Sequence, residues 1–203
     1  MKTFKHPFEP IIFKDSKVMI IGTRPPIDAD FYYSNNSNNR FWDILNAIIE
    51  NSNILPKGGF SLSKNIKKEI LEKLKISLAD ILEEYGLSDE HSPSDNVVNP
   101  IKIRNIDELI KDTSITKLLF TYKKAAELFL KNKEINIGKQ NLEPGKMFYE
   151  YNINNRNIKC YLLPNPLNRG REGETLEKKL NIYKDLILWI KVWHTNTIMT
   201  HTM

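Results

Sequence analysis

Cysteine is nearly missing from this chain: Cys160 is the only one among 203 residues. A single thiol excludes an internal disulfide and any four-cysteine zinc or iron–sulfur centre. Histidine is scarce as well, and His6, His91, His194 and His201 are too scattered for metal-ligand spacing. No metal and no other cofactor is therefore expected. No apolar run approaches the ~20 residues that cross a bilayer. The opening Met1-Lys2-Thr3-Phe4-Lys5-His6 has no apolar signal-peptide core behind its lysines. These absences argue against a membrane partner and for a cytoplasmic protein. There is no internal repeat and no long linker, so residues 1–203 read as one domain with a frayed tail after about residue 193.

What is present is an ordinary core composition, 40% hydrophobic and 27% charged, with a formal charge of +5. A basic surplus suits a polyanionic partner, because phosphate contacts dominate nucleic-acid affinity, although many proteins carry one without binding nucleic acid. Lys17–Ile21, Lys117–Phe120 and Ile158–Leu163 are short apolar runs that read as buried strands, and Cys160 falls in the last as a core residue. Phe41–Ile49, Lys64–Leu74, Ile106–Ile110, Tyr122–Leu130 and Thr175–Trp193 carry helical spacing, with Thr175 as the N-cap of the last. Ile76–Leu82 is ambiguous between strand and helix, and residues 51–63 and 88–100 read as surface loops. Strands alternating with helices predict an α/β fold: a three-layer α/β/α sandwich around a mostly parallel sheet of about four strands.

Two segments carry the chemistry. The first runs Ile20-Ile21-Gly22-Thr23-Arg24-Pro25-Pro26, then Phe31-Tyr32-Tyr33, then Asn39-Arg40-Phe41-Trp42. The second is Leu162-Leu163-Pro164-Asn165-Pro166-Leu167-Asn168-Arg169-Gly170. Each follows a strand pattern and leads into a helix, and open α/β sheets place ligand sites in such loops. Tyr32 and Tyr33 sit in a polar loop and offer aromatic faces; Asn39 offers an amide with donors and an acceptor. Asparagine supplies 22 of 203 residues, so it is attachment to Arg40-Phe41-Trp42 that singles out Asn39. Phe41 and Trp42 read as core anchors. Asp28 and Asp30 lie in the same loop; a carboxylate held near a reacting centre can act as a general base, whereas a solvated loop carboxylate does not. In the second segment two prolines stiffen the loop around Leu167, while Asn165, Asn168, Arg169 and Arg171 offer polar and fork-shaped donors.

Taken in order, these motifs resemble those of the uracil-DNA glycosylase superfamily. Gly-Thr-x-Pro, Phe-Tyr-Tyr and Asn-Arg-Phe-Trp, with His6-Pro7-Phe8, are similar to the hypoxanthine-DNA glycosylase branch, and Asn-Arg-Phe-Trp also to the mismatch-specific uracil/thymine branch. Asp95-Asn96-Val97-Val98 and Phe120-Thr121-x-x-Lys124-Ala125-Ala126 fit between them. The resemblance implies a monofunctional DNA glycosylase that flips an altered base out of DNA and hydrolyses its N-glycosidic bond without a cofactor or metal. It implies that Asn39 is the catalytic amide, that Tyr33 is the platform beneath the base, that Tyr32 and Arg24 line the same base pocket, and that Gly22 and Thr23 are backbone donors to the base edge. Leu167 becomes the wedge that fills the vacated stack, with Asn165, Asn168, Arg169 and Arg171 on the DNA.

The chain departs from the pattern in four places. Arg24 stands where the mismatch-specific branch has an asparagine. Leu163 replaces the histidine of the uracil-specific branch, and that branch's water-activating aspartate has no clear counterpart, leaving Asp30 as the carboxylate candidate. Ser34–Asn38 is one residue longer than the pattern, so Asn38 or Asn39 takes the family position. The scarcity of cysteine also sets the chain apart from iron–sulfur branches. The expected partner is DNA containing a deaminated, mismatched or hypermodified base, bound by a monomer, in base-excision repair or in defence against phage with modified DNA. Two other classes remain: a non-catalytic reader of altered DNA on the same fold, and an unrelated α/β enzyme using Arg24 as a phosphate clamp for a small nucleotide.

Overall fold

The computed structural model describes residues 2–26, 29–33, 38–56, 59, 61–89, 94, 97–136, 142–168 and 175–188. Its spine is a five-stranded sheet in the order β3-β2-β6-β8-β7. The members are β2 (Val18–Gly22), β3 (Ile76–Asp80), β6 (Lys117–Phe120), β7 (Met147–Ile153) and β8 (Arg156–Leu162). The first four in spatial order run parallel, and β7 pairs antiparallel with β8 through the turn at Asn154 and Asn155, both at positive φ.

Both faces of this sheet are covered, which is why its central strands are continuous apolar runs. Side chains alternate along β2: Val18 and Ile20 pack on one side, Met19 and Ile21 on the other. The first side carries α1 (Phe41–Ile49), α2 (Lys64–Leu74) and α5 (Leu176–Leu188), through Phe41, Trp42, Ile70, Leu71, Leu180 and Tyr183. The second carries α3 (Ile106–Ile110) and α4 (Lys123–Asn132), through Ile106, Ile110, Ala125, Ala126 and Phe129. The predicted three-layer sandwich is therefore the one observed.

A second sheet was not legible beforehand. β1 (Lys2–Lys5), β4 (Leu82–Leu87) and β5 (Val98–Ile103) form an antiparallel trio in the order β1-β4-β5. The ambiguous run at Ile76–Leu82 resolves into β3 followed at once by β4, and the loop expected over 88–100 ends in a strand. β5, with Asn99, Pro100 and Lys102, carries no clean period-two pattern and is defined by its partner strand β4. β7 does alternate, with Tyr149, Tyr151 and Ile153 packing on the core and Glu150 and Asn152 facing out. The helices at 41–49, 64–74 and 106–110 match their predicted bounds. Thr175 does cap α5, its Oγ1 accepting from Lys178 N at 3.2 Å. Cys160 is fully buried, and that burial raises its thiol well above the usual range.

One side chain ties the end of α3 to the sheet. The Arg156 guanidinium donates to the carbonyls of Ile110 (2.7 Å), Lys111 (3.0 Å), Ile115 (3.1 Å) and Thr113. A planar fork fits such a ring of carbonyls and an ammonium does not. Arg156→Lys is expected to lower stability by about 1–3 kcal/mol, read as a shift in the urea midpoint at unchanged slope.

Candidate active site

Parallel register brings four strand ends to one level. Gly22 ends β2 opposite Asp80, which ends β3. Thr121 follows β6 and Leu163 follows β8, and their N–H groups donate to Ile21 O and Phe120 O at 3.1 and 2.8 Å. Both motif loops therefore leave the sheet from the same edge.

The loops are then joined to each other by main chain. Asn39 and Leu167 form an antiparallel bridge, with Arg40 N donating to Pro166 O at 2.8 Å and Asn168 N to Asn38 O at 2.7 Å. Asn39 is half-buried and its Oδ1 accepts from Phe41 N at 3.1 Å, orienting the amide at the start of α1. Leu167 is 37% exposed at the tip, between buried Pro166 and exposed Asn168. Arg40, by contrast, is an internal brace. It is buried against Asp43 at 2.5 Å, and its guanidinium also donates to Pro56 O.

The two tyrosines part ways. Tyr32 is fully buried among His6, Phe8 and Phe31, and its hydroxyl donates to Glu9 O at 3.0 Å. No face is left for a ligand, so its place is the core and not the pocket expected from the sequence. Tyr33 turns into the strand ends. Its φ of +56° lies in the left-handed region, which a bulky residue occupies only when its surroundings hold it there. They do: its ring stacks on Phe41 with centroids 3.7 Å apart, and its hydroxyl meets Thr121 Oγ1 at 2.8 Å. Burial, then the Asp80 carboxylate, pushes the Tyr33 phenol well above its usual range. Of its two ring faces, one is thus already taken by Phe41.

Beside Tyr33 lies a pair that sequence reasoning missed. Asp80 Oδ2 is 2.9 Å from His6 Nε2, both side chains almost wholly buried, at 4% and 1% exposure. His6 arrives there because its N–H extends the β1–β4 pairing onto Glu83 O. Asp80 did leave a signal: it is the one charged residue inside the apolar run Ile76–Leu82. Gly22 must be glycine, since a Cβ there would sit 2.1 Å from Asp80 Oδ1 and 3.0 Å from the Tyr33 hydroxyl. Thr23 is buried, and its Oγ1 has no hydrogen-bond partner among the described residues.

The other expected residues lie further out. Arg24 lies over the Tyr85 ring at 5.7 Å and donates to Pro25 O. Asp30 is 74% exposed and paired with buried Lys67 at 3.5 Å, a solvated position rather than one enclosed with Asn39. Asp28, Asp95, Asn96, Arg169 and Arg171 lie outside the described residues. No group of three or more potential metal ligands occurs among the described residues, and no helix among them is long and apolar enough to cross a membrane.

This architecture matches a known one. The model of the uracil DNA glycosylase superfamily matches residues 10–187. The chain belongs to that superfamily. Among solved structures, it is similar to a presumed uracil DNA glycosylase from Methanosarcina acetivorans, determined by solution NMR. The match covers 91% of this chain and 99% of that one, at 15% identity and a TM-score of 0.56, which is a likeness of fold. No curated protein matches the chain. Superfamily membership supports a DNA glycosylase role in general terms, with DNA as substrate.

Two α5 side chains hold the superfamily's second loop, and neither was visible as a motif. Lys179, 1% exposed, donates its ammonium to Leu167 O at 2.8 Å and Asn165 Oδ1 at 3.4 Å, while Tyr183 donates to Pro164 O at 3.0 Å. Lys179→Met is expected to free the loop while keeping the stem's apolar packing. Hydrogen exchange at the Asn168 and Arg40 amides should then speed by roughly tenfold or more. Gly22→Ala should break the His6–Asp80 contact and cost about 1–3 kcal/mol, seen as a moved His6 ring resonance and a lowered melting temperature.

Proposed function

We propose that this protein is a monofunctional DNA glycosylase that extrudes an altered base and hydrolyses its N-glycosidic bond, leaving an abasic site. The observation that carries the reading is the main-chain bridge between Asn39 and Leu167. A catalytic amide and a duplex-entering side chain must act on one nucleotide at one moment, and the bridge holds them in a fixed relation. Asn39 would orient the attacking water with its amide, Leu167 would fill the gap left in the stack, and the Tyr33–Phe41 stack would wall the base pocket. Asn165 and Asn168, with Arg169 and Arg171, would hold the strand. The altered base is deaminated, mismatched or hypermodified, and the role is repair or defence against phage whose DNA is modified.

One observation favours a second reading. The Asn39 side-chain oxygen Oδ1 already accepts from Phe41 N–H, and Asp30 is solvated. A protein that flips and reads an altered base without cutting it would look like this.

Base release decides between them. Labelled duplexes carrying uracil, hypoxanthine, xanthine, a thymine mismatch or glucosylated hydroxymethylcytosine are incubated with the protein, and alkali then reveals abasic sites. Cleavage is expected on at least one duplex. Asn39→Ala should lower it by roughly 100-fold or more with binding retained, whereas Leu167→Ala should slow release from duplex more than from single strands. Salt-sensitive binding with no cleavage on any substrate would establish the reader instead.

A further inference from the structure

Asp30 and Lys67 have no part in the chemistry above, yet they stand beside the first motif loop. Lys67, one turn into α2, is fully buried, and its ammonium makes no hydrogen bond among the described residues. An ammonium has three protons to give, and burying one that gives none is costly. The Asp30 carboxylate lies 3.5 Å away, beyond the about 2.7–2.9 Å of a charge-assisted hydrogen bond. The Phe31 and Trp42 rings lie at 6.0 and 5.7 Å, near the outer limit of a cation–π contact. Asp30 is the exposed member of the pair and Lys67 the enclosed one. The carboxylate therefore stands on the solvent side of the ammonium.

The start of α2 adds to this positive charge. α1, α3 and α5 carry acids in their first turns (Asp43; Asp107 and Glu108; Glu177), as the helix dipole favours. α2 carries none. It opens Lys64-Asn65-Ile66-Lys67, with Ser63 Oγ accepting from Ile66 N at 3.4 Å. The Lys64 ammonium lies over the same Phe31 ring as Lys67, at 5.7 Å. Two ammoniums and the positive end of an eleven-residue helix thus converge on one aromatic ring.

This place adjoins the pocket. Trp42 follows Phe41, whose ring stacks on Tyr33, and its Nε1 donates to Tyr32 O at 3.0 Å. Asp30 and Phe31 belong to the loop that delivers Tyr33. A strand that turns one nucleotide into such a pocket carries its phosphates past the rim.

We propose that Lys67, Lys64 and the first turn of α2 bind a phosphodiester of the DNA strand beside the extruded nucleotide, and that Asp30 covers this site until DNA arrives. This rests on the DNA-glycosylase reading of the neighbouring pocket. On binding, Lys67 donates to a phosphate oxygen, and Asp30 turns out into the water that already surrounds it. One anion replaces another, so the buried ammonium is never left alone. Asp30 is then a competitor of the phosphate rather than a base.

The test measures binding by fluorescence anisotropy on a labelled duplex with a tetrahydrofuran abasic analogue, which requires no base release. Neutral methylphosphonates replace the phosphates around that analogue one at a time. One position is expected to weaken wild-type binding by roughly threefold or more and to leave Lys67→Met unaffected. The Lys67→Met slope of log affinity against log salt should be shallower by about 1. Asp30→Ala should bind roughly threefold tighter, and that gain should vanish when Lys67→Met is added. A pair that only clasps the loop would give the opposite: weaker binding and a lowered melting temperature in Asp30→Ala. That result, or a methylphosphonate profile unchanged by Lys67→Met, would overturn the site. Should Lys67→Met not fold, Lys64→Met takes its place in the scan. Binding that meets these expectations without base release from any duplex would keep the phosphate site and remove catalysis. No binding to any duplex would remove both readings.

Discussion

Parallel hydrogen bonding between β3, β2, β6 and β8 is the constraint on which the rest depends. Parallel neighbours end at the same edge of a sheet, so residues remote in sequence that terminate their strands become neighbours in space. Gly22, Asp80, Thr121 and Leu163 are such a set. The register also decides what can stand there. Opposite Asp80, position 22 has room for a hydrogen and nothing larger, so one glycine and one carboxylate are chosen together.

Above this edge the loops are held by three different means. The first motif loop is pulled down by Tyr33, whose strained backbone is balanced by ring stacking and a buried hydroxyl contact. The second loop is held from beneath by Lys179 and Tyr183 of α5. The loops are then closed on each other by two main-chain hydrogen bonds. Most of these contacts use backbone carbonyls or amides, which fixes the path of each loop while the Leu167 side chain stays exposed at the tip. Such division suits a site that must be stiff and yet present unlike groups to one ligand.

The small sheet β1-β4-β5 has its own consequence. By pairing with β4 it carries His6 past Glu83 and onto Asp80. The contact between them spans 74 positions of sequence. A buried acid and a buried imidazole would each be costly alone, and in contact each gives the other a polar partner.

Residue order alone determined the sandwich, the helices at 41–49 and 64–74, the two loops that bear the motifs, and the exposed Leu167 among prolines. These follow from local chemistry, since apolar periodicity, proline stiffness and strand-ending glycine act within a few residues. It could not separate Tyr32 from Tyr33, because adjacent aromatics in one loop differ only by which way the backbone turns, and that depends on Phe41 and Thr121. Nor could it find Lys179, one lysine of many on an amphipathic helix, until Leu167 O was seen above it. Asp80 and His6 became a pair only through strand register, and β5 became a strand only through its neighbour β4. Hydrogen bonds between distant segments carry no periodicity within either segment, so tertiary structure alone decided them.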